Sequence, residues 1–347
     1  MSASGRDPFL AGGVLAVLSA CAFGASTPLV QHFGHDAGPF TTAALLYGGA
    51  AAASVGGRAR GARLDREFMV RVLAVALLGA VVAPVALAWG LQRTSGVTAA
   101  LLLNLEALFT VGLAFVVWRE PLGTRVTIAV LAMVAGGVLL VLEGRTASVT
   151  AGWGALAVVV ATLAWAGDNV VGRPLADRDP ASVVRAKGTI GAALALLIAF
   201  ILRERLPPWR DVLALAACGA VGYGLSLRLY LRAQRLLGAA RTGSIFAAGP
   251  FLGAAFAWCL GERSGGIATV AAGALCAFGV ALHLTESHAH SHTHEAAEHE
   301  HAHRHDDGHH THTHDAYPPG EHSHPHRHEP LAHAHAHGPD LHHRHDH

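Results

Sequence analysis

A length of 347 residues would suit two soluble domains, but only 14% of the residues are charged and 52% are hydrophobic. Soluble domains carry about 25% charged residues, and the mean hydropathy here is positive even with a polar tail included. The composition therefore excludes a pair of soluble domains, and a formal net charge of +1 gives no reason to expect a nucleic-acid partner.

Ten apolar helices are expected, at about residues 9–32, 38–56, 68–91, 96–118, 124–143, 152–173, 181–202, 211–233, 241–261 and 265–285. Runs such as VLAVALLGAVVAPVALAWG reach the ~18 apolar residues that mark a spanning helix. The first span follows Arg6 and has the look of a signal peptide. It is too long for one, and it has a counterpart later in the chain. Clusters of Gly, Pro and Arg separate the spans, as in GGRARGARLDRE, REPLGTR and RERLPPWRD.

Ionisable groups at membrane depth are costly, roughly 2.5–3.5 kcal/mol at a helix centre, and they face a cavity or a partner. Glu106, halfway along span four and two residues after Asn104, is the clearest case. It suits proton coupling or the binding of a substrate ammonium group; the alternative is a protonated carboxyl bonded to a neighbouring helix. Asp168 and Asn169 lie in the cytoplasmic third of span six, at a depth similar to Arg228 on span eight, so an Asp168–Arg228 pair is expected, the alternative being that both side chains snorkel to the interface. Lys187, the single lysine, lies near the start of span seven and is ambiguous. Tyr47, Trp89, Tyr223 and Tyr230 suit a cavity lining for organic ligands or cations, although Trp89 and Tyr230 serve equally as interfacial anchors. Pro28, Pro84 and Pro250 interrupt spans, and Gly249 and Gly253 allow close helix contact. Cys21, Cys218, Cys259 and Cys276 form no CxxC pair and read as small buried hydrophobes.

The two halves of the chain resemble each other. GLQRTSGVTAALLLNLEALFTVGLAFVVWREPL lies over YLRAQRLLGAARTGSIFAAGPFLGAAFAWCLGERSG, pairing Gln92 with Gln234, Phe109 with Phe251 and Glu120 with Glu262, each 142 residues apart. LSACAFGASTPLV likewise echoes VATLAWAGDNVVG. Five helices per half is an odd number, so the second copy enters the membrane upside down, an architecture of secondary transporters with a site near the midplane. Fourteen Arg and Lys residues flank the spans on the side of the N-terminus and six on the other, which places both termini in the cytoplasm.

The tail begins HAHSHTHEAAEHEHAHRH, and all but three of the 26 histidines (His32, His35 and His283) lie in it. Its HxH runs include His288, His290, His292, His294, His299, His301, His303, His305, His322, His324, His326 and His328. Imidazole suits zinc, nickel, cobalt and copper, while the near absence of apolar residues predicts disorder. Weak, multivalent, pH-dependent metal binding is the consequence, without the fixed geometry of a structural or catalytic zinc site; no cofactor is required.

The WRE and GER ends of spans four and nine, AFGASTPL, LLLNLEALFT, AWAGDNVVGR, RAKGTIG and GYGLSLRLY resemble the EamA branch of the drug/metabolite transporter superfamily, and one bacterial subgroup in particular that also has histidine-rich tails. The likeness covers about residues 10–285. It implies a ten-helix basket with a central cavity lined by helices one, three, four, six, eight and nine, with five and ten as scaffold. One departure stands out: the second repeat has Gly249-Pro250 where the first has Ala107-Leu108 preceded by Glu106, so an acid occupies one repeat only.

The expectation is an all-α polytopic membrane protein of the bacterial inner membrane. Ten transmembrane helices form two inverted five-helix repeats (1–143 and 152–285), followed by a disordered His-rich tail (286–347). Its expected work is secondary active transport of a small organic solute by alternating access, with Asn104, Glu106, Asp168, Asn169, Tyr223 and Arg228 as the lining. The partners are the lipid bilayer and the substrate, with protons as a candidate coupling ion and room for a homodimer. The tail would sense metal or buffer it. A divalent metal exporter and a membrane-anchored metal buffer without transport are the alternatives. No HExxH, GxSxG or paired catalytic acids appear, so an enzyme is not expected.

Overall fold

A computed structural model describes residues 8–54, 66–118, 124–175, 180–237, 239–262, 266–284, 288–294, 298–303, 322–327 and 331–337. All ten expected spans are helical. Six are continuous: the first (Pro8–Phe33), second (Pro39–Ala53), fifth (Thr124–Ala147), sixth (Val149–Gly172), seventh (Pro180–Ile201) and tenth (Ile267–Leu284). Four are interrupted. The third runs Arg66–Ala76, passes through a π-helical turn at Leu77–Val82, and resumes at Ala83–Leu91; the eighth does the same through Trp209–Cys218, Gly219–Leu225 and Ser226–Leu237. The fourth is broken between Gly96–Leu102 and Leu105–Trp118, and the ninth between Ala239–Phe246 and Gly249–Cys259. Among the described residues eight spans are long and apolar enough to cross a membrane; the second and tenth are shorter.

The interruptions track the internal repeat. The π-turns begin at Leu77 and Gly219, which are 142 residues apart, and spans four and nine are both broken mid-way. Packing tracks it too. Spans two and seven pack together, as do five and ten, and four and nine. The contact of span three with six is answered by that of eight with one, and that of four with six by that of nine with one. Each of these contacts is thus either its own image under the repeat or half of a matched pair, whereas the packing of span five on span six has no such counterpart.

Small residues make the close crossings. A Cβ on Gly24 would lie 2.3 Å from the Gly249 carbonyl oxygen, and one on Gly253 would lie 2.7 Å from that of Gly24. Gly249 and Gly253 are therefore packing residues where spans one and nine cross. Between spans five and ten, Gly136 faces Cys276 and Gly279 faces Met133. Cys218 and Cys276 are buried, whereas Cys21 and Cys259 lie on exposed faces. Exposed apolar side chains such as Val116, Leu131, Phe200 and Val270 would be a liability in water but form the lipid-facing surface of a membrane bundle.

Three helix starts are capped by carboxylates distant in sequence. Glu204 accepts from the backbone N–H of Phe40 (3.2 Å) and Thr41 (2.8 Å) at the start of span two. Glu262 accepts from Gly96 (2.7 Å) and Val97 (3.3 Å) at the start of span four. Glu143 accepts from Gly266 (2.9 Å) and from the Thr269 hydroxyl at the start of span ten. Orphan N–H groups at a helix start need acceptors, and the helix dipole favours a negative one. The acid of the GER motif is therefore a cap; its counterpart Glu120 lies outside the described residues.

Residues 286–347 form a second compact unit. In it His288–His294 pairs antiparallel with Leu331–His337, and Glu298–His303 with His322–Arg327. The register sets His288 opposite His337, His290 opposite His335 and His301 opposite His324. The composition of this segment predicts no regular structure, but strict HxH alternation is also the period of a strand, which accounts for local pairing between its runs. His305 and His328 lie outside the described residues.

Candidate functional site

The site begins with a proline. In the π-turn of span three the Ala83 N–H bonds to the Leu78 carbonyl. The next donor in that ladder would serve the Gly79 carbonyl, but it belongs to Pro84, which has no N–H. Gly79 is buried within the bundle, so its carbonyl needs other donors. It finds the Tyr47 hydroxyl from span two and, at 3.0 Å, the Trp165 indole N–H from span six. That N–H is also 3.3 Å from the Tyr47 hydroxyl oxygen. One sequence feature, Pro84, thereby locks three spans onto a single oxygen.

Gly79 also makes room for charge. A Cβ there would lie 2.2 Å from the Asp168 Oδ2 and 2.6 Å from the Lys187 Nζ, and these two atoms form an ion pair between spans six and seven. Asp168 is only 7% exposed, a depth at which a carboxylate requires a partner. That partner is Lys187. The expected Asp168–Arg228 pair is absent, and among the described residues Arg228 makes no ion pair.

Next to this pair, on span six, Asn169 donates an amide N–H to Glu106 Oε1 at 2.9 Å and lies 3.4 Å from the Thr110 hydroxyl. Glu106 opens the half-helix that resumes after the break in span four. Among the described residues its second carboxylate oxygen has no hydrogen-bond partner. Glu106 is half-buried and Asn169 is exposed, so the pair borders open space rather than packed side chains. Glu106 lies within electrostatic range of Asp168, Lys187, Tyr47 and Tyr223, groups on spans two, six, seven and eight. The Asn104 amide donates to the Leu101 carbonyl at 2.9 Å. Asn104 therefore holds the break itself, two residues before Glu106.

Aromatic rings continue from this cluster. Tyr47 and Tyr223 have centroids 5.6 Å apart, Tyr223 and Phe23 6.1 Å, Phe23 and Phe246 5.4 Å, and Phe246 and Tyr230 5.0 Å. Tyr223 stands on the π-turn of span eight and Phe246 at the break of span nine, so both interruptions of the second repeat contribute a ring. Trp89 belongs elsewhere: the Arg93 guanidinium stacks 3.8 Å over its ring. It lines an apolar groove of about 540 Å³ with Pro39, Val81, Val85 and Glu204, a lining that does not include Glu106.

Of the residues singled out from sequence, Glu106, Asp168, Asn169 and Tyr223 come together, Asn104 borders them and Arg228 stays outside. Lys187, Trp165, Gly79, Thr110 and the rings of Phe23 and Phe246 join them. The repeat underlines the asymmetry: positions equivalent to Glu106, Asp168, Asn169 and Lys187 hold Ala248, Ser26, Thr27 and Leu45. Among the described residues no three His, Cys, Asp or Glu side chains converge on a metal position.

The family profile described as "EamA-like transporter family" matches at residues 10–142 and again at 152–285. An "Uncharacterized transporter" of Methanothermobacter thermautotrophicus is 31% identical over 207 residues. That match covers 57% of this chain and 60% of that relative's length. A solved structure described as "Crystal structure of protein" aligns with a TM-score of 0.56 at 21% identity, covering 78% of this chain and 95% of the other, which shows a shared fold.

Proposed function

Since this chain belongs to the EamA-like transporter family, we propose that it is a secondary active carrier of a small organic solute that works by alternating access. The observation that carries this reading is the position of the charged cluster. Glu106, Asp168 and Lys187 gather where spans three and four are interrupted, with Tyr223 and Phe246 at the matching interruptions of spans eight and nine. Discontinuous helices at corresponding places in two repeats mark the substrate sites of many transporters. The cost of charge at this depth also argues for a use.

In this reading the two five-helix repeats rock about the cluster, and Glu106 is the coupling group, exchanging protons as the site faces one side and then the other. Asp168 and Lys187 hold its electrostatic surroundings. The protein resides in a bacterial inner membrane with both termini in the cytoplasm, as the arginine distribution favours. Its histidine tail binds Zn, Ni, Co or Cu weakly there and regulates transport.

The test is solute flux in proteoliposomes holding the full-length chain, screened with radiolabelled amino acids, organic acids and organic amines, with and without a proton gradient. The expected result is uptake of at least one class that responds to the gradient and is lost in Glu106→Gln. Resistance of expressing cells to a divalent metal, dependent on both Glu106 and the tail, would favour the metal exporter instead.

A further inference from the structure

We propose that this site takes an organic monocation, an amine on an apolar or aromatic body, in the place that a proton occupies when the site is empty. The inference rests on the transport reading above and adds the charge class of the solute. Its basis is a count of charges. Two carboxylates, Glu106 and Asp168, face one cation, Lys187. Asp168 and Lys187 cancel as an ion pair. Glu106 is left with Asn169, which donates a hydrogen bond but brings no charge.

The other groups around Glu106 do not close the gap. Tyr47 from span two and Tyr223 from span eight are neutral phenols, and Thr110 on its own helix is a neutral hydroxyl. Span five, which packs on span four, has ionisable residues only towards its ends: Arg125 at the start, and Glu143, already engaged at Gly266 and Thr269, with Arg145 at the other. The cluster is one positive charge short of neutrality, in a setting where net charge is costly. A proton or a ligand cation restores the balance, and the two exclude each other.

The surroundings choose among ligands. The second oxygen of Glu106 has no partner among the described residues and Glu106 borders open space, so an ammonium group can reach it. The file of rings from Tyr47 through Tyr223 and Phe23 to Phe246 offers π faces to a cation and apolar surface to its body. A carboxylate ligand would meet Glu106 and Asp168 while Lys187, the cation beside them among the described residues, is already paired, an arrangement that rejects anions. A zwitterion would have to take Lys187 from Asp168. As a balanced step, the ammonium ion enters, the proton on Glu106 leaves to water, and the charge of the site does not change.

Three probes that share one ring separate the cases: phenethylamine, phenylalanine and phenylacetate, titrated calorimetrically into the purified full-length chain in detergent. Two buffers of different ionisation heat count the protons released. Phenethylamine is expected to bind with release of about one proton per site, and phenylalanine and phenylacetate to bind more weakly. In Glu106→Gln the proton release should vanish and the amine affinity fall by more than about tenfold. Tighter binding of the zwitterion or the anion, no binding of the amine, or amine binding unchanged by Glu106→Gln each overturns the proposal. The ranking in the native chain decides the matter even if the variant does not fold. If the anion or zwitterion binds and also crosses proteoliposome membranes, the charge class is wrong but the transport reading stands. If no solute moves in the full flux screen, the transport reading fails with it.

Discussion

The Asp168–Lys187 pair shows how one residue's surroundings set another's role. Both side chains are largely enclosed, and the pair fits only because Gly79 lacks a Cβ. Removing one partner of an enclosed ion pair leaves an uncompensated charge, at a cost of about 3–5 kcal/mol, whereas removing both is often close to neutral. Lys187→Met is therefore expected to lower the unfolding transition in detergent sharply, and Lys187→Met with Asp168→Asn to recover most of the loss. Equal destabilisation by the single and double variants would mean that the two groups do not act as a pair. Glu106 stands apart from this pair, with a neutral amide as its partner, which fits a group that exchanges its ligand more than one that holds the bundle together.

At the scale of elements, the interruptions matter more than the rods. A π-turn accommodates one extra residue and so rotates the downstream half of its helix by about 100° relative to an uninterrupted α-helix. That rotation separates the features legible in the sequence from those that were not. The ten helices could be read from hydropathy, because bilayer thickness fixes their length. Glu106, Asp168 and Asn169 stood out as polar groups in apolar runs. The partner of Asp168 did not, because Arg228 comes after the π-turn at Gly219–Leu225, so its face cannot be inferred from a 3.6-residue period. The aromatic file was half hidden: Tyr47, Tyr223 and Tyr230 were legible as ring-bearing residues in apolar spans, whereas Phe23 and Phe246 are ordinary apolar residues in sequence and acquire meaning only once spans one, eight and nine meet. Pro84 was visible as an interruption, but its effect on the Gly79 carbonyl required Tyr47 and Trp165 to be placed beside it. If the π-turn is a flexing point of the transport cycle, Pro84→Ala should fold and gain stability, on the order of 1 kcal/mol from the restored backbone bond, while solute turnover slows. A variant with native turnover would show the turn to be a static irregularity.

For the whole molecule, symmetry supplies the scaffold and asymmetry the chemistry. The repeat accounts for most of the larger span contacts, for where helices break and for where the π-turns fall, yet every ionisable member of the cluster lacks an ionisable counterpart. A carrier built this way can move symmetrically about a site that distinguishes charge. The tail is a separate matter, forming its own compact unit beyond Thr285, and residues 1–285 contain the whole charged cluster with its ring file. Truncation after Thr285 is therefore expected to leave the unfolding transition of the bundle unchanged and to abolish nickel and zinc binding measured by equilibrium dialysis. Only the neutral imidazole ligates metal, and histidine titrates near pH 6.5. Binding by the full chain should hold above neutrality and fall steeply as pH drops below about 6. Metal binding that survives truncation, or that ignores this window, would move the metal site into the bundle and reopen the case for a metal exporter. Binding that disappears with the tail while flux loses its response to metal would identify the histidines as a sensor attached to an organic-solute carrier.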